Sequence, residues 1–113
     1  MFCDLAGFTE LSQRLDPEEL GDVLASYQQS CVRAVHLFGG HVAQYLGDGV
    51  LVYFGFPRAL EDAAEGALRA ALTIQQELAE LNEQRRESGA HEIHARIGIH
   101  TGRVVVQEVG AET

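Results

Sequence analysis

The chain has 113 residues, the size of one small domain, with 46 % apolar and 22 % charged residues, an ordinary globular composition. Seventeen acidic residues against eight basic ones give a formal charge of -9, which disfavours nucleic acid and anionic membrane surfaces as partners. All eight basic residues are arginine, which excludes from this stretch a Walker A phosphate loop, a Schiff-base lysine and a lysine general base.

Residues 1 to 6 read as the tail of a strand, after which "GFT" turns into a short helical segment reaching Leu15. Asp16-Pro17-Glu18-Glu19 is a helix start: Asp16 can cap, Pro17 suits the first helical position and Glu19 completes a capping box. The helix predicted from there runs to about Phe38. Leu20, Val23, Leu24, Tyr27, Cys31, Ala34, Val35 and Phe38 fall on one face, and Gly39-Gly40 ends it. Two short apolar runs, 41 to 46 and 50 to 55, are joined at Gly47-Asp48-Gly49, a hairpin signal. Pro57 marks a break. A second long helix is predicted from about Leu60 to Glu87, with Leu60, Ala64, Ala67, Leu68, Ala71, Ile74, Leu78 and Leu81 on one stripe. "EIHARIGIHTGRVVVQEV" then reads as strand, turn at Thr101-Gly102, strand.

Strand, helix, hairpin, helix, hairpin is the order of a ferredoxin-like α+β sheet with helices on one face. A doubly wound parallel sheet fits poorly, because two tight turns join neighbouring strands. Strand-like residues begin at the first position and persist almost to the last, so the chain reads as a piece of a larger domain, incomplete at both ends. Cys3 and Cys31 supply no disulfide framework, which suits a reduced, cytoplasmic setting. No apolar run of about 18 residues is present, so no membrane contact is expected from this segment.

The chemistry centres on Asp4 and Asp48. Each ends a strand-like segment and is followed at once by turn or helix-start residues, and a ferredoxin-like sheet can bring the two ends together. Alone, a D-G at a hairpin tip is a turn, and Asp4 is a cap. Two converging carboxylates, however, repel unless a cation lies between them, and hard oxygen ligands suit magnesium or manganese. After Asp4, a glycine and a helix start at Phe8 or Thr9 present unpaired N–H groups, an anion site beside the first carboxylate. Metal-binding carboxylates beside phosphate-binding amides are the parts of two-metal phosphoryl or nucleotidyl transfer. Residue chemistry of this kind serves a nucleotide cyclase and a polymerase palm equally.

"FCDLAGFTELSQRL", "YLGDGVLVYFGFP" and "ARIGIHTGRVVV" together resemble the class III adenylate/guanylate cyclase catalytic domain of bacterial type, over nearly the whole chain and in order. The resemblance implies that residues 1–113 are the N-terminal portion of one such domain, with the nucleotide cyclase fold. It implies conversion of ATP or GTP into a 3′,5′-cyclic nucleotide and pyrophosphate, with two Mg2+ or Mn2+ ions per active site. The sites are expected at an interface with a second cyclase domain, a homodimer being the simplest case. Matched residue by residue, the metal ligands are Asp4, Asp48 and the backbone carbonyl of Leu5. The phosphate-binding residues are Gly7, Phe8, Thr9 and Arg96.

Two positions depart from the pattern. Gln44 stands four residues before the second aspartate, where active members often carry a lysine that reads the purine; glutamine can still bond a base edge, without charge. Gln107 replaces a glycine. The family's second half, with a further base-reading residue and the asparagine and arginine that steady ribose and transition state, is not in this sequence, so the fragment alone is expected to be inactive. A catalytically silent cyclase-like regulatory or nucleotide-binding module is the alternative. His91 and His94 in "HEIH" fall on opposite faces of the expected strand and do not form the helical H-E-x-x-H zinc motif. The acidic stretch "ELAELNEQRRES" reads as a solvated helix face.

Overall fold

The computed structural model describes residues 1–106. Its elements are β1 (Phe2–Leu5), α1 (Phe8–Arg14), α2 (Pro17–Leu37), β2 (His41–Leu46), β3 (Gly49–Tyr53), α3 (Ala63–Glu87) and β4 (Ala95–Gly98). The four strands form one antiparallel sheet in the order β2-β3-β1-β4, the ferredoxin-like arrangement, and α2 and α3 pack together on one of its faces.

α2 forms where its signals place it. Asp16 Oδ1 accepts from the Glu19 N–H at 2.8 Å, Pro17 opens the helix, and the main-chain N–H of Gly40 closes it on the Val35 carbonyl at 2.8 Å. Gly39 there takes φ 80, the left-handed conformation that glycine adopts without cost. The buried stripe of α2 is Val23, Tyr27, Ser30, Cys31, Ala34 and Val35, with Leu20, Leu24 and Phe38 packed beside it. Against it lie Cys3 and Leu5 of β1 and Val50 and Val52 of β3, so alternate residues of the central strands face the helices.

α3 differs from its expected outline in two ways. It begins at Ala63, and Leu60 remains outside it with its side chain over the Gly39 turn. Its buried residues are Ala67, Ala70, Ile74, Leu78 and Asn82, whereas Leu68 is 56 % exposed. The cause is close approach: a Cβ on Gly66 would lie 3.1 Å from the Phe38 carbonyl oxygen, so only small residues fit where α3 meets the end of α2. The larger Leu68 is left outward.

Asn82 extends the α3 stripe into the chain before β4. Its side-chain amide donates to the Ile93 carbonyl at 2.8 Å and accepts the Ile93 N–H at 2.7 Å. Asn82 is therefore not part of a solvated face but supplies both hydrogen bonds that a neighbouring strand would have given. Residues 91 to 94 precede β4 rather than belonging to it, and Ile93 alone of them is buried. The last strand expected after Thr101-Gly102 is not formed by residues 103 to 106, and the rest of it, with Gln107, lies outside the described residues.

Candidate functional site

The sheet face opposite the helices carries the residues of interest. In β1 that face holds Phe2 and Asp4; in β4 it holds Arg96 and Gly98, paired with Asp4 and Phe2 respectively. In β3 it holds Leu51, which pairs with Phe2. β2 would place Val42 and Gln44 on the same side, since Val42 pairs with the buried Val52. A bulge intervenes at Ala43, so that Gln44 pairs with Leu51 and Tyr45 with Val50. The extra residue turns Gln44 to the open face, the face of Asp4 and Arg96, and sends Tyr45 to the helix side.

Asp48 lies in the turn between β2 and β3, after Gly47 at φ 65. The residue that follows explains how tightly this turn meets β1. A Cβ on Gly49 would stand 2.6 Å from the Phe2 ring and 3.1 Å from the Leu46 carbonyl oxygen. Gly49 thus makes room for Phe2, and lets the turn settle beside β1. There the Leu5 N–H donates to Asp48 Oδ2 at 2.8 Å. The two strand ends expected to converge do so, through main chain on one side and a carboxylate on the other.

Asp4 has a different partner. Arg96 Nε and Nη2 donate to its Oδ1 and Oδ2 at 3.0 and 3.2 Å. The hydrogen bonds and charge of Asp4, with a smaller contribution from Asp48, raise the pKa of the Arg96 guanidinium above its ordinary value. Beyond Leu5 the chain turns at Ala6, whose N–H donates to the His94 carbonyl at 2.7 Å, and at Gly7, φ 67, which caps α1. Nothing lies within 4 Å of the position a Gly7 Cβ would take, so the α1 start with Phe8 and Thr9 opens beside the end of β1.

Among the described residues no three or more His, Cys, Asp or Glu side chains are grouped to hold an ion. His91 and His94 accordingly form no metal cluster there; His94 Nε2 instead lies 3.4 Å from Glu92, which also pairs with Arg86. The donors at the strand ends are two carboxylates and the Leu5 carbonyl. Hard oxygen donors of this kind suit magnesium or manganese. Sequence patterning missed two features of this region, the Ala43 bulge and the Asp4–Arg96 pair. Both depend on strand register.

No helix among the described residues is long and apolar enough to cross a membrane. The family model for the adenylate and guanylate cyclase catalytic domain matches residues 1–113. Adenylate cyclase 1 of Rhizobium meliloti (strain 1021) is 38 % identical over 112 residues, 99 % of this chain and 17 % of that protein. Adenylate cyclase of Anabaena cylindrica is 32 % identical over 114 residues, 97 % of this chain and 22 % of that protein. The crystal structure of the guanylyl cyclase Cya2 superposes with a TM-score of 0.88 at 38 % identity, covering 98 % of this chain and 56 % of the other. That of the adenylyl cyclase CyaB from P. aeruginosa gives 0.77 at 31 % identity, covering 84 % and 50 %. The chain thus spans about half of the solved domains and a fifth or less of the first relative, and over that span it belongs to the adenylate and guanylate cyclase catalytic domain family.

Proposed function

We infer that this chain forms the first part of a nucleotide cyclase that converts ATP or GTP into a 3′,5′-cyclic nucleotide and pyrophosphate. The observation that carries the reading is the junction of β1 with the β2–β3 turn, where the Leu5 N–H holds Asp48 beside the strand that bears Asp4. Asp4, Asp48 and the Leu5 carbonyl would hold two Mg2+ or Mn2+ ions. When bound, such ions supply acidity to the ribose 3′-hydroxyl and charge compensation to the phosphates.

The residues of the chain have separable roles in that reading. Asp48, fixed by a main-chain N–H, keeps its carboxylate oriented without help from a mobile side chain. The N–H groups of Gly7, Phe8 and Thr9 at the α1 start donate to the triphosphate, and Arg96 adds a fork of donors. Gln44, turned to the open face by the bulge, bonds the edge of the purine. Attack of the 3′-oxygen on the α-phosphorus forms one P–O bond and breaks the bond to the β-phosphate bridge. Pyrophosphate leaves, and the hydroxyl proton passes to solvent. The second half of the domain carries the ribose- and transition-state-steadying groups, a second cyclase domain in a homodimer completes the site, and residues 1–113 alone are inactive.

The test is direct. The full-length protein is incubated with manganese and ATP or GTP, and cyclic nucleotide is measured. Turnover in the wild type, lost in Asp48→Ala, supports the enzyme. Nucleotide binding with no turnover above Asp48→Ala supports the silent module, a reading favoured by the uncharged Gln44. Relatives at the same 38 % identity are named for adenine and for guanine, so the purine preference is read from the same assay.

A further inference from the structure

The two acidic residues at the strand ends are held in unlike ways. Asp48 is anchored through one oxygen by the N–H of Leu5, a residue 1 % exposed that cannot swing away. Asp4 has both oxygens engaged by the guanidinium of Arg96, whose side chain is 70 % exposed against 27 % for Asp4. One carboxylate therefore has a fixed neutral partner, and the other has an exposed charged one with an open path to solvent.

The guanidinium takes both of the oxygens that Asp4 would offer to a metal ion. It bridges both Asp4 oxygens and offsets their charge, at the end of β1 where the Leu5 N–H holds Asp48. A divalent ion binding Asp4 competes for those same oxygens. We propose that Arg96 is an exchangeable counter-ion, neutralising Asp4 when no metal is bound and displaced from it by a divalent cation. The freed fork of donors is then available to the triphosphate that accompanies the metal, because a guanidinium matches phosphate and carboxylate geometry alike. Metal and triphosphate consequently bind as one coupled event. The metal alone must break the ion pair, whereas the phosphates give the released guanidinium a new partner. This inference rests on the metal-site reading of Asp4 and Asp48.

The experiment titrates Mn2+ alone into the full-length chain, following free ion by electron paramagnetic resonance. Arg96→Gln is expected to bind Mn2+ about threefold tighter or more, the scale of one exposed ion pair. With inorganic tripolyphosphate present the order reverses, and Arg96→Gln binds the metal–triphosphate pair more weakly than the wild type. Arg96→Lys, which keeps the charge, stays close to the wild type without phosphate. Equal or weaker Mn2+ binding by Arg96→Gln, with Asp4→Asn still abolishing it, would overturn the exchange and leave the metal site standing. Binding unchanged in the Asp4→Asn, Asp48→Asn double variant would instead overturn the metal site itself. A second measurement needs no variant: the Arg96 Nε–H resonance of the wild type should shift as Mg2+ saturates. A resonance that stays in place at saturation contradicts the displacement.

Discussion

The Leu5 N–H and the Asp48 carboxylate meet at 2.8 Å across 43 positions of sequence, tying the end of β1 to the β2–β3 turn. This bond separates two jobs that Asp48 performs, accepting from the main chain and carrying negative charge. Asp48→Asn retains an amide oxygen for Leu5, so its stability should stay within about 0.5 kcal/mol of the wild type while Mn2+ binding is lost. Asp48→Ala removes both and should cost about 1–3 kcal/mol, because a hydrogen bond to a half-buried carboxylate is lost. Thermal melting and Mn2+ titration on the two variants distinguish the jobs. Intact Mn2+ binding in Asp48→Asn would show that the charge is not used.

Gly49→Ala tests the fit between the turn and β1. The added methyl would meet the Phe2 ring at 2.6 Å and the Leu46 carbonyl oxygen at 3.1 Å, so a loss of about 1–3 kcal/mol is expected. Replacing Phe2 by Ala in the same chain removes the nearer obstacle, and the pair of substitutions should cost less than the sum of the two. Additive losses, measured by urea unfolding, would mean that Phe2 is not what Gly49 accommodates.

Asn82→Ala should destabilise the fold by about 2–3 kcal/mol. It leaves the buried Ile93 N–H and carbonyl without the amide that satisfies both. Amide exchange reports the site of the damage: protection of Ile93 should fall before that of Val50 or Val52 in the sheet centre. Uniform loss across all three would point to a general packing defect instead.

Tyr27 is fully buried in the core, and its hydroxyl has no hydrogen-bond partner among the described residues. Burial first, and the neighbouring Cys31 and Cys3 next, push its pKa upward from the ordinary value of 10.0. Because the folded state resists ionisation, Tyr27 makes stability fall as pH rises above 10.0 and the unfolded chain ionises, and has no such effect below that value. Tyr27→Phe should therefore be neutral or stabilising by up to about 1 kcal/mol at pH 7, since no made bond is removed. It should also show a smaller fall in melting temperature between pH 9 and pH 11, a range chosen to bracket the ordinary value of 10.0. A variant that melts several degrees lower at pH 7 would reveal a partner for the hydroxyl.

Much of this arrangement was legible in the residues. The α2 stripe from Leu20 to Phe38 could be read because one continuous surface of mostly large residues meets the sheet, and the Asp16-Pro17 start because capping is local. α3 was harder to read. Where two helices approach closely, small residues are the buried ones, so Ala67 and Ala70 face inward and the larger Leu68 does not. Asn82 carried a usable signal, since it follows Ile74 and Leu78 at intervals of four, continuing the apolar row with a polar side chain. A polar residue in such a row asks for a buried partner, and Ile93 main chain is that partner. The Asp4–Arg96 pair and the side on which Gln44 emerges follow from strand register, which local periodicity does not contain.

The bulge at Ala43 also bears on how the molecule behaves in company. Among the described residues β2 is an edge strand, and an uninterrupted edge offers a row of unpaired main-chain groups to any passing chain. One extra residue midway breaks the spacing of that row and twists the strand, so a foreign strand would find no long matching ladder. The irregularity that turns Gln44 outward thus also blunts a surface that would otherwise invite self-association into fibres.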